Sequence, residues 1–123
     1  MATIANECKK AALDAITALL NSGSFRVLTS ADAELAAPVF NSTAFGAATT
    51  ASPSVATANS LTADTSITAG TFTKFEMRTS AAAVRISGSM GVGTGDIQVA
   101  DNVIPGTATS FNITGLTISL QLA

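Results

Sequence analysis

Thr71-Phe72-Thr73-Lys74-Phe75-Glu76-Met77-Arg78 is the stretch on which the fold class turns. In an extended chain Phe72, Lys74, Glu76 and Arg78 point one way. Thr71, Thr73, Phe75 and Met77 point the other way, which is read as the core face. A period of two, with aromatic and β-branched residues, marks a strand and not a helix. The face carrying Lys74, Glu76 and Arg78 suits cross-strand or in-row ion pairs. Such exposed pairs contribute only about 0.2–1 kcal/mol each.

Toward the C-terminus the same grammar repeats. Residues 82–87 read as a strand ending at Gly88, and residues 96–100 alternate cleanly before an Asp101-Asn102 turn. Val103-Ile104 runs into Pro105-Gly106, a strong turn signal. Residues 110–113 and 115–122 complete the set. In the latter, Leu116, Ile118, Leu120 and Leu122 alternate with Thr117, Ser119 and Gln121, as a half-buried strand requires. Toward the N-terminus, residues 25–29 and 39–45 are expected strands, and the acidic segment 30–38 between them reads as a loop or short helical turn. Residues 46–69 hold Ala, Thr, Ser and Pro53 with few large side chains. That composition fits a long loop or extended arm, with room for a strand near residues 54–62.

One segment breaks the pattern. From Thr3 to Asn21 apolar side chains fall at Ile4, Cys8, Ala11, Ala12, Ala15, Ile16, Leu19 and Leu20, the i, i+3, i+4 spacing of a helix face. Glu7, Lys10, Asp14 and Thr17 take the opposite side, Thr3 is the expected N-cap, and Asn21-Ser22-Gly23 the stop. A helix of this length is marginal alone in water, so its apolar face needs a partner within the chain or outside it.

The expected fold is therefore mainly β: an antiparallel β-sandwich or small barrel with one N-terminal α-helix. Residues 1–23 form the helix or arm and residues 24–123 the β domain, which is expected to stay folded when residues 1–22 are removed. Phe25, Phe40, Phe45, Phe72, Phe75 and Phe111 are the expected core anchors, each offering about 1.5–3 kcal/mol on burial. Aromatics without a polar handle suit a core better than a binding surface.

Composition narrows the chemistry. The 123 residues include no His, Trp or Tyr, and a single Cys. The usual general base and commonest metal ligand are missing, and one thiol makes neither an internal disulfide nor a zinc site. Six Lys and Arg against eight Asp and Glu make a nucleic-acid footprint unexpected. No stretch reaches the roughly 18 uninterrupted apolar residues of a membrane span, and Lys9 and Lys10 follow residues 1–8 instead of leading them, unlike a signal peptide. The protein is expected to be made and used without secretion. Charged residues make up only 11% and mean hydropathy is +0.45. An ordinary domain carries about 25% charged residues, so this neutral surface of Ala, Thr, Ser and Gly suits contact with other subunits, and the chain is expected to self-associate.

Gly88-Ser89-Met90-Gly91-Val92-Gly93-Thr94-Gly95 lacks the Lys and the following helix of a phosphate cradle, and reads as a flexible hairpin loop. Cys8 reads as a small buried side chain of the helix. Ser–Lys chemistry through Lys9, Lys10 or Lys74 is open in principle, but no spacing singles out a pair. Asp32, Glu34, Asp64, Asp96 and Asp101 are scattered and match no calcium loop. The sequons at Asn41 and Asn112 have no secretion context. No catalytic, cofactor-binding or metal residue is expected.

The helix 3–20, then Ser42-Thr43-Ala44-Phe45-Gly46-Ala47-Ala48, Ala56-Thr57-Ala58-Asn59-Ser60-Leu61-Thr62-Ala63-Asp64-Thr65, Gly70–Arg78, Val84–Gly91 and the alternating 115–122 together resemble small structural proteins of tailed bacteriophages, most of all capsid decoration (cement) proteins. The resemblance covers most of the chain and is compositional. It implies a non-enzymatic β domain on the virion surface, made in the host cytoplasm. Its partners would be the major capsid protein and other copies of itself, with no cofactor, nucleic acid or membrane. Ile4, Ile16, Leu19 and Leu20 are the candidate interaction face. The helix, or segment 46–69, would reach along the shell or into a neighbouring copy. The alternatives are a tail, neck or baseplate component and, from a different class, a small ligand-binding β-barrel.

Overall fold

The computed structural model describes residues 3–121. One helix, α1 (Asn6–Ala18), precedes nine strands. They are β1 (Ser24–Leu28), β2 (Glu34–Ala36), β3 (Ser54–Thr57), β4 (Gly70–Thr71), β5 (Lys74–Arg78), β6 (Val84–Gly91), β7 (Ile97–Gln98), β8 (Val103–Ile104) and β9 (Thr117–Leu120). The fold is mainly β with one N-terminal helix, as the patterning required.

A five-stranded sheet has the order β2-β1-β5-β6-β7, and two-stranded ribbons pair β3 with β9 and β4 with β8. Every pair is antiparallel except β6–β7, which is parallel through Met90↔Ile97 and Gly91↔Gln98. The main sheet is thus mixed and does not close into a barrel. The period-2 reading of residues 71–78 holds where it decides most: Phe75 and Met77 are buried, while Lys74, Glu76 and Arg78 alternate with them on the outer side. Phe72 is the exception. It lies in the break between β4 and β5 and turns inward, 2% exposed. There it meets Phe111 edge-on at 5.6 Å.

The core is one contiguous cluster. Phe25 and Val27 of β1, Phe75 and Met77 of β5 and Met90 of β6 meet Leu13, Leu20, Phe40, Phe45, Ala56, Phe72 and Leu116. Phe25 stacks on Phe75 with centroids 5.4 Å apart and rings 5° from parallel. Gly23 permits the close approach of the helix exit to β5, because a Cβ there would strike the Arg78 carbonyl oxygen.

Several sequence expectations are corrected. Segment 30–38 contains β2, held to β1 by Val27↔Ala36 and anchored by buried Leu35. Segment 39–45 is no strand: Val39 and Phe45 make only isolated bridges, to Ser24, Thr62 and Ala58, although Phe40 and Phe45 are buried as expected. Segment 46–69 is no free arm. Its small residues let it lie close against the chain, with Ala48, Ser54, Ala56 and Leu61 buried and β3 inside it. Residues 110–113 give a single bridge, Phe111↔Asp64, and not a strand. In 115–122 only β9 is regular, and Leu122 lies outside the described residues. The glycine loop is not a hairpin. β6 runs on to Gly91, and Gly93 and Gly95, with φ of 71° and 93°, turn the chain back for parallel pairing.

The helix is rotated from its expected setting. Lys9, Leu13 and Thr17 face inward, and Cys8, Ala11, Ala15, Ala18 and Leu19 are exposed. Alanines bury too little area to set the rotation, whereas Leu13 and Leu20, both 0% exposed, do. The N-cap is Ala5, with no side-chain cap bond, and not Thr3. α1 packs on β3 and touches β9, so the boundary at 23/24 separates helix from strands in sequence but not in the core.

Asp14 fastens the helix. Its carboxylate accepts from Lys10 Nζ at 2.5 Å and from the Ala48 N–H at 2.8 Å. The bond from Lys10, then that from Ala48, holds its carboxyl below the usual range. A carboxyl more acidic when folded stabilises the fold above its unfolded pKa, and that contribution disappears as pH falls through the folded value. The Asp14→Asn variant is therefore expected to be less stable than the parent at neutral pH. The gap should narrow as pH falls below about 4, a change readable from melting curves across the acid range.

Candidate functional site

The four candidate interface residues separate. Leu20 is 0% exposed and belongs to the chain's own core, Ile4 and Ile16 are half-buried, and Leu19 is 51% exposed. Leu19 continues an outward stripe with Cys8, Ala11, Ala15 and Ala18, because residues three and four apart share a helix face. Cys8 is thus exposed, contrary to its reading as a buried residue.

The outer face of the five-stranded sheet carries most of the ion pairs. Arg26 of β1 donates to Glu34 of β2 and, at 2.6 Å, to Glu76 of β5. Burial works against the Arg26 charge, but Glu34 and Glu76 outweigh it and hold the guanidinium above its ordinary pKa. Lys74 pairs with Asp32 at 2.9 Å. Of the cross-strand or in-row pairs expected for this face of β5, the structure has the cross-strand kind in Arg26–Glu76. Arg78 and Arg85 have no acidic partner among the described residues, and the Nε of Arg78 is buried without any hydrogen bond.

A cleft of about 290 Å³ opens between residues 96–99 and 113–117, floored by Phe25, Met90 and Leu116. Its one carboxylate, Asp96, is engaged: it accepts from the backbone N–H of Ser89 at 3.0 Å and from the Ser89 hydroxyl at 3.2 Å. That clasp fixes the glycine turn, and a Cβ on Gly88 would stand 2.5 Å from Asp96 Oδ2.

The fold does bring one Ser–Lys pair together. Lys9, 6% exposed, donates from Nζ to Ser52 Oγ at 2.9 Å. These residues are 43 apart in sequence, which is why no spacing revealed them. Neither residue lines the cleft above, and Gln121 Nε2 shares the same hydroxyl at 3.4 Å, so the contact ties helix, loop and C-terminal segment together. Asn41 and Asn112 likewise have local structural roles: Asn41 Oδ1 accepts from the Thr43 N–H, and Asn112 Nδ2 donates to the Leu61 carbonyl. Among the described residues no three His, Cys, Asp or Glu side chains cluster as metal ligands would, and no helix is long and apolar enough to cross a membrane.

Comparisons with protein-family models, with curated proteins and with solved structures return no match.

Proposed function

We propose that this chain is a non-enzymatic structural protein of a tailed-bacteriophage virion, a capsid decoration protein that stabilises the head by binding the major capsid protein and neighbouring copies. The finer reading of the fold goes with it: the main sheet and the helix-covered β3–β9 ribbon serve as the two layers of a small sandwich. The observation that carries the proposal is the surface. Only 11% of residues are charged, and the outward helix face is built from Cys8, Ala11, Ala15, Ala18 and Leu19. Small neutral side chains let two surfaces approach closely and cost little to desolvate. Weak contacts repeated at every lattice site add up through effective concentration, and binding only the assembled shell stabilises it by mass action.

The test is copy number, measured by quantitative mass spectrometry of purified particles. Hundreds of copies per particle are expected. A handful, or a number fitting stacked rings, moves the chain to the tail, neck or baseplate, and its absence from the particle overturns the virion reading.

A further inference from the structure

We propose that the chain self-associates head to tail, the Arg78–Arg85 corner of one copy receiving Glu7 on the helix of the next. The proposal names the surfaces for the self-contact in the function proposed above and rests on that reading.

Charge accounting selects both surfaces. Among the described residues Lys10, Arg26 and Lys74 each pair with a carboxylate, and Lys9 is bonded to Ser52. Arg78 and Arg85 remain. Asp14, Asp32, Glu34, Asp64, Glu76, Asp96 and Asp101 each accept at least one hydrogen bond. Glu7, exposed in the first turn of α1, is the one carboxylate with no such bond. The charged side chains left without any hydrogen bond among the described residues are thus two guanidiniums on one surface and one carboxylate on another.

The arginine corner is costly in the isolated chain. β5 and β6 pair Met77↔Ile86 and Arg78↔Val84, so Arg85 is the extra residue of a bulge at the end of the pairing. Bulges redirect side chains, and this one sets two cations beside each other on the outer face. Neighbouring like charges repel, and the buried Arg78 Nε finds no acceptor. A carboxylate from outside relieves the repulsion, because the guanidinium fork of exposed Arg85 binds carboxylate oxygens in a charge-assisted geometry.

Glu7 cannot serve its own chain. Arg78 lies beside Gly23, past the C-terminal end of α1, whereas Glu7 sits in the first turn. The intervening 13-residue helix is about 20 Å long at 1.5 Å per residue. Each surface also carries exposed apolar companions, Val84 at 41% beside the arginines and Cys8 and Ala11 beside Glu7. Contact between two different surfaces is heterologous, so repetition closes a ring or grows a filament according to the rotation per copy.

The experiment is a charge swap on the full chain, read by sedimentation velocity over a concentration series, with circular dichroism to show that each variant is folded. The parent should sediment above monomer. R85E and E7R should each raise the concentration of half-association by about tenfold or more, and the E7R/R85E double variant should bring it back toward the parent value. A monomeric parent, single variants that associate like the parent, or a double variant no better than the singles overturns the proposal. So does an R85E variant that loses particle binding while self-association is unchanged, which would assign the corner to the capsid protein. A monomeric chain present in hundreds of copies per particle would sink this contact and leave the decoration reading standing.

Discussion

Removal of residues 1–22 is expected to leave a chain without a cooperative unfolding transition. The deleted segment carries Leu13 and Leu20, both wholly enclosed and both part of the cluster that contains Phe25, Phe45 and Ala56. Truncating one such leucine to alanine costs about 2–5 kcal/mol. Losing two approaches the whole stability of a domain this size, about 5–15 kcal/mol. The deletion also strips the Asp14 acceptor from the Ala48 N–H and the Asn21 acceptor from the Ala44 N–H. Ala44 and Ala48 are themselves buried, so those donors lose their partners in a poorly hydrated place. Leu13→Ala in the full chain isolates the packing part, with an expected loss of about 2–5 kcal/mol in urea unfolding. A truncated chain that melts sharply, with the parent's β spectrum, would restore the independent β domain that the sequence alone suggested.

The expected setting of the helix failed for a definite reason. Helical spacing reveals which residues share a face, but not which face wins when many of them are small. Eight small or apolar positions, Leu20 among them, outvoted Leu13 in the pattern, whereas burial is weighted by area and enclosed Leu13 as fully as Leu20. Strands were legible where alternation is backed by large side chains: Phe25 and Val27 in β1, Phe75 and Met77 in β5, Leu116 and Ile118 leading into and along β9. β2 was hidden because Glu34 looks like a loop residue, yet it begins the strand and pairs with Arg26, while Asp32 in the preceding turn pairs with Lys74. Segment 39–45 has strand composition, but its neighbours offer Val39 and Phe45 single bridges and no continuous ladder. The arginine corner was half legible. Arg78 stood out on the polar face of β5, but its isolation depends on Glu76 being taken by Arg26 from another strand, a fact of register that no local pattern contains.

Phe25→Ala is expected to cost about 3–5 kcal/mol, the largest loss from any single truncation of an aromatic residue in this core. Phe40, Phe45, Phe72 and Phe75 are also buried, but Phe25 alone among them is 0% exposed, and it joins two layers. It pairs with Met77 across the β1–β5 ladder, lies flat against Phe75, and floors the cleft beside Met90 and Leu116. Two effects oppose each other in the variant. The hole adds a cavity penalty to the lost transfer energy, while the open cleft above lets water enter and removes part of that penalty. Transfer dominates, because a buried Phe removes about 150–250 Å² from water, far more than one or two entering waters restore. Phe25→Leu separates shape from stacking. It keeps most of the apolar volume and loses the ring–ring contact, whose contribution is about 0.5–1.5 kcal/mol, so its cost should fall well below that of alanine. Urea unfolding with an unchanged slope is the measurement for both. A Phe25→Ala chain within 1 kcal/mol of the parent, against the roughly 3 expected at least, would mean that β1 does not lie across Phe75 in the register described, and the core built on it would have to be redrawn.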